Sequence, residues 1–260
     1  MNTGPQTGPE SELERARRQI EQLERQLAQA GQELEEFTYS VAHDLRASLR
    51  HVGAYVKIVR EDVGEGMDVA IGTHLDKAGE AAAQMGRLMD GLLELSRVGR
   101  AELHFSDVDL SRLVADVRHQ LERDTGQRRI VWCIAPDLPL VRGDLALLGQ
   151  MLAHLLGNAV KFTRGCAEAA ITISWARQGD GVCELRIRDN GVGFDARLHG
   201  RLFRVFQRLH GPRPFEGIGI GLALSRRVVE RHGGGIHARG DSEKGCEISL
   251  TLPLADGAAA

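Results

Sequence analysis

The sequence predicts an α+β protein, with a coiled coil and helical hairpin forming a dimeric four-helix bundle, followed by a two-layer α/β sandwich. Three observations predict it. Leu13, Ala16, Ile20, Leu23, Leu27, Ala30, Leu34, Phe37 and Val41 alternate in steps of three and four, with Glu, Arg and Gln between them, as a coiled-coil seam requires. A second amphipathic helix repeats the pattern at Ile71, Leu75, Ala78, Ala82, Met85, Met89 and Leu92 after a glycine-bearing turn. Past Arg100, short alternating segments such as Ile171–Trp175 and Glu184–Arg188 interleave with helical ones.

In chain order, residues 1–10 are polar and broken by Gly and Pro, and read as a disordered lead-in. Ser11 is the expected N-cap of a coiled-coil helix over 11–37; a single amphipathic helix packed on its own domain is the alternative. The apolar positions then become Phe37, Val41, Leu45 and Leu49, four apart, a stutter that locally unwinds a left-handed supercoil. His43 lies midway between Val41 and Leu45, which turns it away from the seam and into solvent. The hairpin spans 38–103, turning near Gly64-Glu65-Gly66, and its second helix runs from 67 to 98. Two such helices have too little core of their own, so a homodimer through residues 11–100 is expected.

The second domain is expected over 104–254. It reads as a helix capped by Asp109, a strand at 129–134, a helix at 145–163, and strands at 171–175 and 184–188. A helix at 219–232 and strands at 236–238 and 247–252 complete it, with 255–260 as a disordered tail.

Composition narrows the function. A net charge of −3 provides no basic field for nucleic acid. Cys133, Cys166, Cys183 and Cys246 stand singly, which argues against a zinc site or a disulfide framework and suits a reducing cytoplasm. No apolar run approaches the roughly 18–20 residues that cross a bilayer, and the N-terminus is not signal-like, so a cytoplasmic protein is expected.

The chemistry-bearing residues fall into two groups. The first is the His43-Asp44 dipeptide on the first helix, a nucleophile beside a base. The second is a set of segments in the α/β domain. Asp189-Asn190-Gly191-Val192-Gly193 follows a strand, and Gly217-Ile218-Gly219-Ile220-Gly221-Leu222 opens a helix. Glycines there let backbone amides approach a ligand, and a helix N-terminus favours phosphate. Each run alone is weak evidence, and neither has the Rossmann or lysine-bearing P-loop spacing. On the 145–163 helix, His154, Asn158 and Lys161 share a face distinct from the apolar stripe of Leu152, Leu155, Leu156 and Ala159. An Asn oxygen can ligate Mg2+ and a Lys can neutralise phosphate; a surface Asn and Lys on a core helix is the plainer alternative.

Taken together, these segments resemble the sensor histidine kinases of two-component systems, most closely the phytochrome-linked and related soluble ones. The resemblance covers residues 34–253 and rests on five motifs in order: SVAHDLRASLR, HLLGNAVKFT, DNGVGFD, LFRVFQRLH and GIGIGLALSRRVVERHGG. It implies an ATP domain of the histidine kinase, gyrase and chaperone type. It also implies ATP-dependent phosphorylation of His43, with Asp44 orienting the imidazole and taking its proton. Asn158 would hold Mg2+ and Lys161 would contact the phosphates, with Phe162 beside them. Asp189 would accept from the adenine amino group, Gly191 and Gly193 would admit the adenine end, and Gly217, Gly219, Gly221 and Leu222 would line the phosphate side. The implied partners are a second copy of the chain, a response regulator receiver domain, and an upstream sensor domain or partner protein acting through the coiled coil.

Between the glycine runs the resemblance implies a mobile lid, expected as a short helix with Leu198, Leu202, Val205 and Leu209 on one face. Arg197, Arg201, Arg204 and Arg208 fall on another, either as a solvated face or with Arg204 or Arg208 reaching the γ-phosphate. Three residues depart from the family pattern. Ser48 replaces a usual Pro, which leaves the helix straighter, because an interior Pro costs about 3 kcal/mol and kinks it. His154 stands where Asn is common, and Ala47 stands where Thr or Asn accompanies strong phosphatase activity. These departures keep open a second reading, a degenerate kinase acting as an ATP-binding dimeric scaffold. A gyrase-like ATPase is a third.

Overall fold

The computed structural model describes residues 9–64, 67–126, 128–179, 181–209, 215–242 and 244–255. Most of the expected lead-in (1–8) and tail (256–260) lies outside them. Helix α1 (Pro9–Val63) runs 55 residues, about 80 Å. It starts two residues before the expected Ser11 cap, with Pro9 in the first turn, where its missing N–H costs nothing. It ends against Gly64, whose φ of +59° is a left-handed terminator. Helix α2 (Val69–Arg100) is capped by Asp68, whose carboxylate accepts from the Ala70 and Ile71 amides.

The two helices form an antiparallel hairpin. Arg46 pairs with Asp90 at 2.7 Å, and farther along α1 Arg60 pairs with Asp76. At the other end the Arg100 guanidinium covers the Tyr39 ring. Among the described residues of α1 only Ala42 is buried, whereas Leu13, Ile20, Leu23, Leu27, Leu34 and Phe37 are 54–76% exposed. The hairpin therefore leaves the heptad seam open along one chain.

The rest is a two-layer α/β unit. A five-stranded sheet has the order β2-β4-β5-β7-β6, from β2 (Ile130–Ile134), β4 (Ala169–Gln178), β5 (Val182–Asp189), β6 (Ile236–Asp241) and β7 (Gly245–Pro253). Only β2 and β4 are parallel. Alternation decides the buried face: Cys183, Leu185 and Ile187 point inward from β5, and Ile248, Leu250 and Leu252 from β7. Helices α3 (Leu110–Thr125), α4 (Leu145–Phe162) and α5 (Gly221–Arg231) supply the other layer of that core.

Several expectations are corrected. A second, two-stranded sheet joins β1 (Phe105–Asp109) and β3 (Leu140–Asp144); both are only five residues long, and each ends in an Asp, so neither stands out as a strand in the sequence. By composition α4 is long and apolar enough to cross a membrane, contrary to the expectation that no run is, but Leu148, Met151, Leu152 and Leu156 are buried in the core. Ala255, expected in the tail, is buried, and its N–H donates to Leu140 O. In place of the lid helix there is a 3-10 turn at Ala196–Arg201, then turns and bends, with Phe206 at φ +61°. A bulky residue in the left-handed region is incompatible with a continuing helix.

The start of α4 is fixed from several directions. Asp144 caps the Ala146 and Leu147 amides and also accepts from His104 N. Burial alone raises its pKa, but the three amides outweigh burial and hold the carboxyl below its usual range. The buried His232 accepts from Asp144 N through Nε2 (3.0 Å), so its Nδ1 carries the proton and donates to Val228 O (2.7 Å). That one neutral imidazole ties the end of α5 to the start of α4.

Candidate functional site

A cleft of about 400 Å³ opens between α4, the inner face of β5 and β7, the segment after β5, and the loop that leads into α5. Helix periodicity builds its first wall. The stripe of Leu148, Leu152, Leu156 and Ala159 is committed to the core, and the adjoining face turns His154, Asn158, Lys161 and Phe162 to the cleft. The Lys161 ammonium lies 4.4 Å from the Phe162 ring centroid, and Phe162 meets Phe215 edge to face at 5.0 Å. Burial lowers the Lys161 pKa, the Arg208 and Arg164 cations lower it further, and Glu216 partly offsets them. An anion entering the cleft would relieve that crowding of positive charge.

At the opposite wall Asp189 ends β5, buried to 8% exposure. Burial pushes its carboxyl up, against bonds from the Gly191 and Cys246 backbones. The Gly191 N–H donates to Oδ1 at 2.8 Å. Cys246 also lines the cleft, but burial together with the Asp189 and Glu247 charges raises its thiol to about 12, which rules out a thiolate nucleophile at neutral pH.

The glycines have distinct places. Gly193, Gly217, Gly219 and Gly221 line the cleft, and Gly191 does not. Gly193 sits at φ +61°, where a Cβ would fall 1.9 Å from Asp241 O, so it is needed first for the close approach of the β6–β7 turn. Gly217, at φ +128°, has more room, with Lys161 Nζ 3.6 Å from its hypothetical Cβ. Gly221 opens α5 behind Ile220, which provides no side-chain cap, so the first amides of α5 are left for another acceptor. Leu222 lines the cleft beside them.

The lid residues split. Leu202, Leu209 and Arg208 line the cleft, and Arg208 donates to Phe215 O. Arg204 is exposed and does not line it. The expected arginine stripe does not form: Arg197 pairs with Asp195, and Arg201 reaches Gln207. Phe203 and Val205 face a separate groove formed with Leu92 and Leu95 of α2 and Ala223 of α5.

His43 is exposed on α1, with Nδ1 3.2 Å from Asp44 Oδ1 and the Tyr39 ring stacked 6.4 Å away. It does not line the cleft. The hairpin residue that does is Glu94 of α2, which reaches Gln150 and lies 3.9 Å from His154 Nε2. No motif marks Glu94, which reads in sequence as one more polar helix position. Phe215 was legible in principle, since it stands two residues before the Gly217 run.

Residues 143–256 match the histidine kinase-, DNA gyrase B-, and HSP90-like ATPase family. The chain is 31% identical over 235 residues to cyanobacterial phytochrome B of Nostoc sp., covering 90% of this chain and 31% of that protein. It is 30% identical over 243 residues to the methanogenesis regulatory histidine kinase FilI of Methanothrix harundinacea, covering 94% and 27%. The crystal structure of full-length ShkA in complex with AMPPNP superposes with a TM-score of 0.61 at 25% identity, covering 86% of this chain and 47% of that one. The chain thus spans less than a third of the length of these two curated relatives. Residues 143–256 thus carry the ATPase layer of the histidine kinase-, DNA gyrase B-, and HSP90-like family, and the chain as a whole, with that layer carried on a His-bearing helical hairpin, is similar to sensor histidine kinases.

Proposed function

We propose that the chain is the kinase portion of a two-component sensor, which uses ATP and Mg2+ to phosphorylate His43 in a homodimer and passes the phosphoryl group to an Asp of a response regulator receiver domain. The observation that carries the reading is the pairing, on one chain, of an exposed His–Asp dipeptide with a cleft whose walls are Asp189 on one side and Asn158 and Lys161 on the other. Asp189 accepts from the adenine amino group. Gly217, Gly219, Gly221 and the uncapped α5 amides receive the phosphates, with Lys161 and Arg208 neutralising them. Phe162 and Leu222 supply apolar wall, Gly191 and Gly193 shape the turn below Asp189, and Arg204 stays in solvent until the lid moves.

The donor set fits Mg2+, which usually takes one or two protein oxygens plus substrate phosphates; Asn158 provides one such oxygen beside the phosphate side of the cleft. When bound, Mg2+ offsets the negative charge of the β- and γ-phosphates.

Because Nδ1 of His43 faces Asp44, Nε2 is the attacking atom. A bond forms from Nε2 to the γ-phosphorus as the bond to the β–γ bridging oxygen breaks and ADP leaves. The Nδ1 proton passes to Asp44, leaving a neutral phosphohistidine. The open heptad seam of α1 supports the homodimer. The same seam is the route for input from an upstream sensor domain or partner protein, and a cytoplasmic location suits the resemblance to the phytochromes. We take 11–37 as the signalling helix, 38–103 as the phosphotransfer hairpin and 104–254 as the catalytic domain.

Incubation with γ-labelled ATP tests this reading. Acid-labile, alkali-stable label that disappears in His43→Ala is expected. ATP binding without label would point to the scaffold reading, and continuous ATP turnover without a phosphoprotein to a gyrase-like ATPase.

A further inference from the structure

The wall of the cleft nearest the start of α5 belongs to the hairpin. Gly91 of α2 faces Ile218 and Ile220, whose Cδ1 atoms lie 2.7 and 2.8 Å from where a Gly91 Cβ would stand. Without a Cβ, Gly91 leaves a notch in which the two isoleucine tips of the glycine-run loop are seated; any larger residue would have to displace both. One turn on, Glu94 enters the cleft and is held by Gln150 Nε2 beside His154. The His154 ring in turn lies 3.1 Å from the hypothetical Cβ of Gly221, the first residue of α5. One more turn along, the Arg231 guanidinium of α5 donates to Val98 O at 2.6 Å. Three successive turns of α2 are thus fixed in order to the glycine-run loop, to α4 and to α5.

We propose that Glu94 is an intramolecular competitor of the nucleotide's phosphates, a carboxylate lent by the hairpin to the anion-seeking end of the cleft. A helix N-terminus with no side-chain cap attracts negative charge, and Glu94 brings it there one imidazole away. His154 cancels little of that charge, since among the described residues its buried Nε2 has no hydrogen-bond partner and it stands 3.9 Å from the Glu94 carboxylate. A triphosphate at Gly217–Gly221 and the Glu94 carboxylate repel each other. Because Ile218 and Ile220 belong both to the cleft wall and to the Gly91 notch, a phosphate chain that re-seats the loop also loosens α2 from the catalytic layer. Linkage makes the effect reciprocal: what expels Glu94 favours nucleotide, and what docks the hairpin disfavours it.

The inference rests on the reading of this cleft as the ATP site, and its test separates the two. Affinities of the full chain for a non-hydrolysable ATP analogue with Mg2+, for ADP and for adenosine are measured calorimetrically in wild type and in Glu94→Gln. The substitution keeps shape and removes only the charge. The expected result is a gain of about fivefold or more for the ATP analogue, a smaller gain for ADP and none for adenosine. Unchanged affinity for the ATP analogue overturns the proposal, and so does an equal gain for adenosine, which would mean a reshaped pocket. Weakened binding of the analogue overturns it too, by making Glu94 a ligand of the metal–phosphate group. A wild-type chain that binds none of the three overturns the nucleotide reading itself, and the competitor with it.

Discussion

Asp44 and His154 are each defined by one neighbour. The Asp44 carboxylate is 3.2 Å from His43 Nδ1 and far enough along α1 that it does not line the cleft. Asp44→Asn should therefore lower the rate of His43 labelling by about 10²–10⁴-fold, the usual span for a positioned base, without changing ATP affinity. Single-turnover labelling beside a nucleotide titration checks both, and a matched loss of affinity would contradict the assignment. His154 carries a pH dependence. Burial holds its imidazole below the usual 6.5, against a smaller opposing pull from Glu94. A base with a depressed folded pKa takes up its proton first in the unfolded chain, so its contribution to stability is present above pH 6.5 and is lost as pH falls through the folded pKa. Thermal unfolding of wild type should thus weaken below pH 6.5, and His154→Asn should flatten that slope; parallel slopes would refute the account. The contact of Asp44 with His43 was legible from adjacency alone. The burial of His154 was not, because a helix face does not reveal what packs over it.

At the scale of elements, capping and periodicity carried most of the legibility. Asp109 marks a helix start in the sequence and caps it in the structure, and Asp144 caps α4 in the same way, because a carboxylate satisfies amides that have no partner within the helix. Strands β1 and β3 escaped because each is only five residues long, with Val108 the one buried residue of β1 and Gly143 and Asp144, which do not favour strands, among the buried residues of β3. The lid helix was inferred from apolar spacing that the chain spends otherwise: Leu202 turns to the cleft, and Phe203 and Val205 to the hairpin groove. Helix α1 runs unbroken through Ser48, whose hydroxyl donates to Asp44 O at 3.3 Å. Ser48→Pro removes an interior amide and clashes with that same carbonyl, at a cost of about 3 kcal/mol. The expected outcome is a lower unfolding temperature of the hairpin and a changed ratio of kinase to reverse activity. Identical ratios in the two proteins would remove Ser48 from the control of that balance.

At the scale of the whole molecule, the helical hairpin and the ATPase layer meet through α2, whose last three turns are fixed to the glycine-run loop, to α4 and to α5. The seam of α1 is left without cover on one chain. Burying one Leu is worth about 1.5–3 kcal/mol, and Leu23 and Leu27 each appear twice in a dimer. Leu23→Lys with Leu27→Lys should weaken self-association by at least about a hundredfold in sedimentation equilibrium, while ATP affinity per chain is unchanged. A double variant that remains dimeric would show that residues beyond the heptads carry the interface.

What the sequence determined by itself was whatever is local or periodic. That includes the heptads and stutter around His43, the face of α4 that bears Asn158 and Lys161, and the glycine positions beside Asp189 and at Gly217–Gly221. Backbone geometry and helical repeat fix these within a few residues, so they can be read without knowing the fold. Only the tertiary structure decided that Glu94 enters the cleft, that Gly91 is a notch for the loop, that Arg208 and not Arg204 lines the wall, and that His43 stands apart from it. Those are contacts between segments tens of residues apart, set by how α2 packs on α5, and no local repeat encodes that packing.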